Sequence, residues 1–83
     1  MAPKVHAADL SKRAAAALHQ KDYAEAERLY DELSFAMIYE NAHPVDIAAA
    51  LHTLAQIQEA QGKESQSEST RKRALKVLRS SQD

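Results

Sequence analysis

Cysteine is absent from this 83-residue chain, tryptophan is absent too, glycine occurs once, proline twice, and only four residues are aromatic. Each shortage removes a class of chemistry. Without cysteine there is no disulfide framework, no thiolate zinc site and no cysteine nucleophile. One glycine leaves no glycine-rich loop to cradle a phosphate and no G-x-S-x-G elbow to activate one of the many serines. Hydrophobic residues make up 45% of the chain, and with so few aromatics much of that fraction is alanine, which favours closely packed helices over a roomy ligand cavity. No stretch reaches the roughly 18 consecutive apolar residues of a membrane span. The opening MAPKVHAADL also lacks the apolar run of a secretory signal. A soluble, cytoplasmic, single-domain protein is expected, held together by packing alone. A domain of this length buries only about 60% of the surface its unfolded chain exposes, so its stability margin is thin.

The net charge of −1 argues against general nucleic-acid binding, but the charges are unevenly placed. Residues 1–21 carry +3, residues 22–46 carry −6, residues 47–62 carry −1 and residues 63–83 carry +3. His6, His19, His43 and His52 form neither an i, i+4 pair with one another nor an HExxH motif, so metal chemistry lacks support from spacing. Each histidine is expected to face solvent or cap a helix. No catalytic residue, metal site, cofactor or small-molecule substrate is expected.

Apolar periodicity divides the chain into four helices. Leu10, Ala14, Ala17 and Leu18 recur at helical spacing among strong helix formers, predicting a first helix from about Ala7 to His19. Asp22 and Glu25 form a capping-box variant in which both side chains take up free backbone N–H groups. The second helix begins there, with Tyr23, Ala26, Tyr30, Leu33 and Met37 on its apolar stripe and Glu25, Arg28, Asp31 and Glu32 outside, and runs to about Glu40. The two rare residue types punctuate the next segment. Pro44 suits the first position of a helix, where its missing N–H would be unpaired anyway. Gly62 suits the left-handed position that closes one. A third helix therefore spans roughly Pro44 to Gln61, with Ile47, Leu51, Leu54, Ala55 and Gln58 on one face.

The remainder, KESQSESTRKRALKVLRSSQD, has no apolar residue from Lys63 to Arg73. Its acids come early and its cations late, an order that complements the helix dipole. It predicts a fourth, largely solvated helix, or one whose serine-rich first half is frayed. At the end of the second helix Phe35, Ala36, Met37, Ile38 and Tyr39 are apolar on every side. Either they close over the intramolecular core, or Phe35, Met37, Ile38 and Tyr39 are shared with another molecule.

The chain repeats itself at an offset of 41: Leu10, Ala14, Tyr23, Ala26 and Tyr30, around the turn QKDY, align with Leu51, Ala55, Glu64, Ser67 and Arg71, around QGKE. This pattern resembles a tetratricopeptide repeat. HPVDIAAALHTLA, with Ala48, Leu51, Leu54 and Ala55 in its A-x-x-L-x-x-LA run, is most similar to the longer, kinesin-light-chain type of that family. Departures are Arg13 and Leu33, and Glu64, Ser67 and Arg71 in the last helix. The resemblance implies an all-α fold of two antiparallel helical hairpins, four helices stacked as repeats. Its parts are an N-terminal arm (1–6), a first hairpin (7–43), a second, degenerate hairpin (44–79) and a C-terminal tail (80–83). Repeats of this class are usually stable only in threes or more, so two imply self-association or a completing partner.

By the same resemblance the function is a non-catalytic protein-interaction module or small assembly adaptor. Its concave face is made by the first helix of each hairpin: Ala8, Ser11, Ala15 and His19, with Ala49, His52, Gln56 and Glu59. Ser11, Ala15 and Thr53 stand where the family's carboxylate clamp needs Lys and Asn, so a protein or peptide segment with small apolar side chains suits the face better than an anionic tail. A competing reading places Arg71, Lys72, Lys76 and Arg79 against an anionic polymer, nucleic acid or a membrane surface. The run has no aromatic to stack on bases, which disfavours nucleic acid. The same cations also admit a solvated helix face, or a head-to-tail contact with the acidic second helix of another copy.

Overall fold

Four α-helices account for nearly all of residues 6–80, which the computed structural model describes: α1 (Ala7–His19), α2 (Tyr23–Tyr39), α3 (Pro44–Ala60) and α4 (Glu64–Ser80). Most of the expected arm, residues 1–5, and most of the expected tail, residues 81–83, lie outside the described residues. α4 is continuous through its serine-rich half.

All three connections close alike. Lys21, Asn41 and Gly62 adopt left-handed φ angles of 60°, 58° and 78°. The following amides of Asp22, Ala42 and Lys63 donate to the carbonyls of Ala17, Met37 and Gln58, five residues back, at 2.9, 2.8 and 2.9 Å. These 6→1 bonds are the signature of the Schellman motif, which satisfies carbonyls the helix end would otherwise leave free. Gly62 closes α3 as its position predicts, while two of the three turns use a residue with a side chain.

Helix starts are capped locally. Asp22 Oδ1 accepts the Glu25 amide at 3.3 Å, and His43 Nδ1 accepts the Val45 amide at 3.2 Å ahead of Pro44. The reciprocal half of the expected capping box is not made. Asp22 N–H is already bonded to Ala17, and the Glu25 carboxylate instead grips Arg28 at 2.8 and 2.9 Å. At the start of α1, His6 supplies no side-chain bond; the Ala7 amide donates to Glu40 Oε2, at the far end of α2, at 2.9 Å.

Among the described residues packing is sequential: α1 on α2, α2 on α3, α3 on α4. Each helix runs back along its predecessor, as the contacts Ala7–Glu40, Glu27–Gln61 and Gln58–Thr70 require. One apolar cluster joins Leu10, Ala14 and Ala17 of α1 to Ala26, Leu29, Leu33 and Ala36 of α2 and to Ala50 and Ile57 of α3. A second joins Ile47, Leu51 and Leu54 to Ala74 and Val77 of α4, and Tyr30 and Met37 touch both. α3 lies between two neighbours. Its predicted face is buried as expected, and Ala48, Ala50 and Ile57 are buried besides.

Moving 41 residues along the chain carries α2 onto α4 from end to end, and Lys21 onto Gly62. Burial follows the same shift: Leu10 and Leu51 are 4% and 1% exposed, Ala14 and Ala55 both 0%, Ala26 and Ser67 0% and 1%. Ser67 thus fills the slot of a small packing residue in a helix otherwise mostly solvated. Its hydroxyl has no hydrogen-bond partner.

Candidate functional site

Because packing is sequential, helices two apart are separated by grooves. α1 and α3 flank an open groove of about 370 Å³ whose floor is Tyr30, Leu33 and Met37 of α2. Ala8, Ser11 and Ala49 meet on its walls, with Asp46 at one rim. All eight residues assigned to the concave face, Ala8, Ser11, Ala15, His19, Ala49, His52, Gln56 and Glu59, are exposed. The structure brings only those three together on the groove. Glu59 is engaged elsewhere, by the Arg71 guanidinium of α4. Burial raises the pKa of the Tyr30 phenol above its ordinary value.

The groove between α2 and α4, about 560 Å³, has Gln58 of α3 at its base and is tied across by polar side chains. Lys63 Nζ lies 2.9 Å from Glu27, Arg73 lies 3.5 Å from Asp31, and the Arg73 guanidinium sits 5.3 Å above the Phe35 ring centre. Gln58 joins the two helices, accepting from Thr70 Oγ1 at 2.7 Å and donating to Glu27 at 3.4 Å. Burial raises the Glu27 pKa, but hydrogen bonds from Lys63, Gln61 and Gln58 outweigh it and hold the carboxyl below the ordinary glutamate value. Glu25 is likewise lowered, by its bonds to Arg28.

These ties change the electrical picture. Residues 22–46 are strongly acidic along the chain, but folding carries Lys63 and Arg73 across to them. Arg73, which periodicity did not single out, is the residue of the basic run RKRALKVLR that makes this crossing alongside Lys63. The available signal was the complementary acid on α2. Of the four cations singled out on the last helix, Arg71 is consumed by Glu59, whereas Lys72, Lys76 and Arg79 are exposed and make no ion pair with a described residue.

The apolar end of α2 divides. Phe35, Ile38 and Tyr39 are 58%, 47% and 87% exposed, and Val45, across the connection from them, is 57% exposed. They do not close over the core. Met37, expected to join them on a shared surface, instead turns inward and packs against both apolar clusters. Its spacing from Tyr30 and Leu33 puts it on the buried stripe.

No group of three or more His, Cys, Asp or Glu side chains able to hold a metal ion is present among the described residues. None of their helices is long and apolar enough to cross a membrane. No family model matches the chain, and neither a curated protein nor a solved structure matches it significantly. The site therefore rests on the geometry alone.

Proposed function

We propose that the chain is a non-catalytic protein-interaction module, built as a tetratricopeptide-like pair of hairpins, that associates with itself through the apolar end of α2. One observation carries this reading: Phe35, Ile38 and Tyr39, three and four residues apart on one face of α2, are all exposed, as is Val45 at the start of α3, in a chain whose core is otherwise covered. Large apolar side chains exposed side by side on one helix face of a small domain mark an interaction site. The recurrence of helix bounds, turn conformation and burial at 41 residues supports the repeat-like build, with Leu51, Leu54 and Ala55 of HPVDIAAALHTLA all in the core. A stack of two lacks the neighbours that such repeats use to cover their ends. The α1/α3 groove is a second surface of the same module, shaped for a short helix or extended segment with small apolar side chains. A cytoplasmic adaptor is the setting this reading implies.

The test is residue-resolved. NMR spectra recorded on dilution are expected to shift at Phe35, Ile38, Tyr39 and Val45, and the variant with Phe35→Ser, Ile38→Ser and Tyr39→Ser is expected to give concentration-independent spectra of the same fold. Shifts confined to other surfaces, or a triple variant that still associates, would overturn the proposal.

A further inference from the structure

Ion pairing divides the charged residues of α4 into those already held and those still free. Arg71 is held by Glu59 and Arg73 by Asp31. Glu64, Glu68, Lys72 and Lys76 are exposed and make no ion pair with a described residue. Each lies four residues after the last, so the four follow one ridge of the helix, about 6 Å apart along its axis. Ser67 and Thr70 are buried on the other side, and the ridge faces solvent. From its N-terminal end it carries two negative charges and then two positive ones.

That order decides what can cover it. A lipid or nucleic-acid surface is negative throughout, so it would meet the two carboxylates along with the two cations and gain little from the ridge as a whole. The acidic α2 of another copy is no better, because Glu25, Glu27, Asp31 and Glu32 already hold Arg28, Lys63 and Arg73 within the chain. A second α4 laid parallel sets each charge against its like. Turned end for end, it sets Glu64 opposite Lys76 and Glu68 opposite Lys72, and the two-fold relation makes each of these contacts twice. One register serves all four, since positions 64 and 76 share their midpoint with positions 68 and 72. Helices crossing at about 50° bring two ridges of this kind alongside one another.

We propose that Glu64, Glu68, Lys72 and Lys76 form a second self-contact: an antiparallel pairing of α4 with α4 of another copy, made of four ion pairs about a two-fold axis. It rests on the self-association reading, because exposed ion pairs are individually weak and screened by salt, and one set of four does not offset the cost of joining two free monomers. It acts between dimers already joined at the apolar end of α2. Two self-complementary contacts on one chain close into a four-copy assembly, in which two dimers meet through two such sets and the second set forms within the complex. The apolar contact makes the dimer, and the charged ridge joins dimers into a tetramer.

Sedimentation equilibrium at low and high sodium chloride tests it, with two charge-reversed variants, E64K/E68K and K72E/K76E, whose ridges are wholly positive and wholly negative. At low salt the wild-type mass is expected to reach four chains, and at high salt to fall to two. Each variant alone is expected to stop at two chains in low salt, with the wild-type circular dichroism spectrum. An equimolar mixture of the two variants is expected to reach four chains again, because a positive ridge then faces a negative one. That rescue excludes misfolding as the reason either variant stops short. A wild-type mass that stops at two chains in low salt, variants that reach four chains unmixed, or a mixture no heavier than its components overturns this inference and leaves the apolar contact standing. So does binding of phosphatidylserine vesicles or a single-stranded oligonucleotide that the K72E/K76E change abolishes. A wild-type chain that stays a monomer at every salt concentration removes the broader reading, and this inference with it.

Discussion

Positions 21 and 62 occupy equivalent turns 41 residues apart, both left-handed, yet one is lysine and the other glycine. A residue with a Cβ held in that conformation costs about 1–2 kcal/mol relative to the right-handed region. Glycine escapes that strain but loses about 0.5–1 kcal/mol more conformational freedom on folding. The balance favours glycine by about 0.5–1 kcal/mol. A Cβ added at Gly62 would meet nothing within 4 Å, so the cost of Gly62→Ala is conformational and not steric. At position 21 the lysine charge near the end of α1 also interacts with the helix dipole, which makes Lys21→Ala the proper reference for Lys21→Gly. The glycine variant is expected to be more stable than the alanine variant at both positions. With a urea m-value of about 1 kcal/mol/M for a chain this small, each alanine midpoint should lie about 0.5–1 M below its glycine counterpart. Equilibrium urea titration at low protein concentration, followed by circular dichroism, measures this. Equal midpoints at both positions, or alanine above glycine, would refute the claim that these residues close their helices through left-handed strain.

Three further outcomes stem from the packing. Leu54→Ala empties a fully buried position between α3 and α4. It should cost about 2–5 kcal/mol, a large share of the about 4–12 kcal/mol available to a chain of this length, visible as a lower urea midpoint and partial unfolding at 37 °C. Ser67→Ala removes the buried hydroxyl that has no partner and should raise stability by about 1 kcal/mol; a loss of that size in the same titration would show that the hydroxyl is satisfied. Glu27 has a folded-state pKa below the ordinary glutamate value. Its contribution is therefore complete above that value and is lost as pH falls through the lowered one. Glu27→Gln should flatten the acid limb of a stability-versus-pH curve and leave a smaller difference between neutral pH and acid.

Local chemistry was legible in the sequence where one residue type has one structural use. Pro44 at the start of α3, Gly62 at its end and Asp22 at the start of α2 all do what their positions predict. Lys21 was not legible as left-handed, because lysine has no preference for that conformation, whereas Asn41 follows the end of α2 where asparagine is the usual alternative to glycine. The α3 face was found, but the burial of Ala48, Ala50 and Ile57 was not: a helix placed between two partners has two buried faces, and a single-face pattern describes only one. Charge was the least legible. Blocks of sign along the chain suggested opposing stripes, whereas Lys63 and Arg73 are carried by the fold onto Glu27 and Asp31. Met37 was grouped with Phe35 and Ile38 by the apolar run around it, although its place on the stripe of Tyr30 and Leu33 already pointed it inward, where the structure has it.

Sedimentation equilibrium over a wide range of protein concentration tests the central claim most directly, that two stacked hairpins leave apolar surface that a companion must cover. The weight-average mass is expected to rise from that of the 9.2 kDa chain toward a multiple of it, and to stay at the monomer value when Phe35, Ile38 and Tyr39 are all serine. A wild-type chain that remains a stable monomer at every concentration would contradict the account.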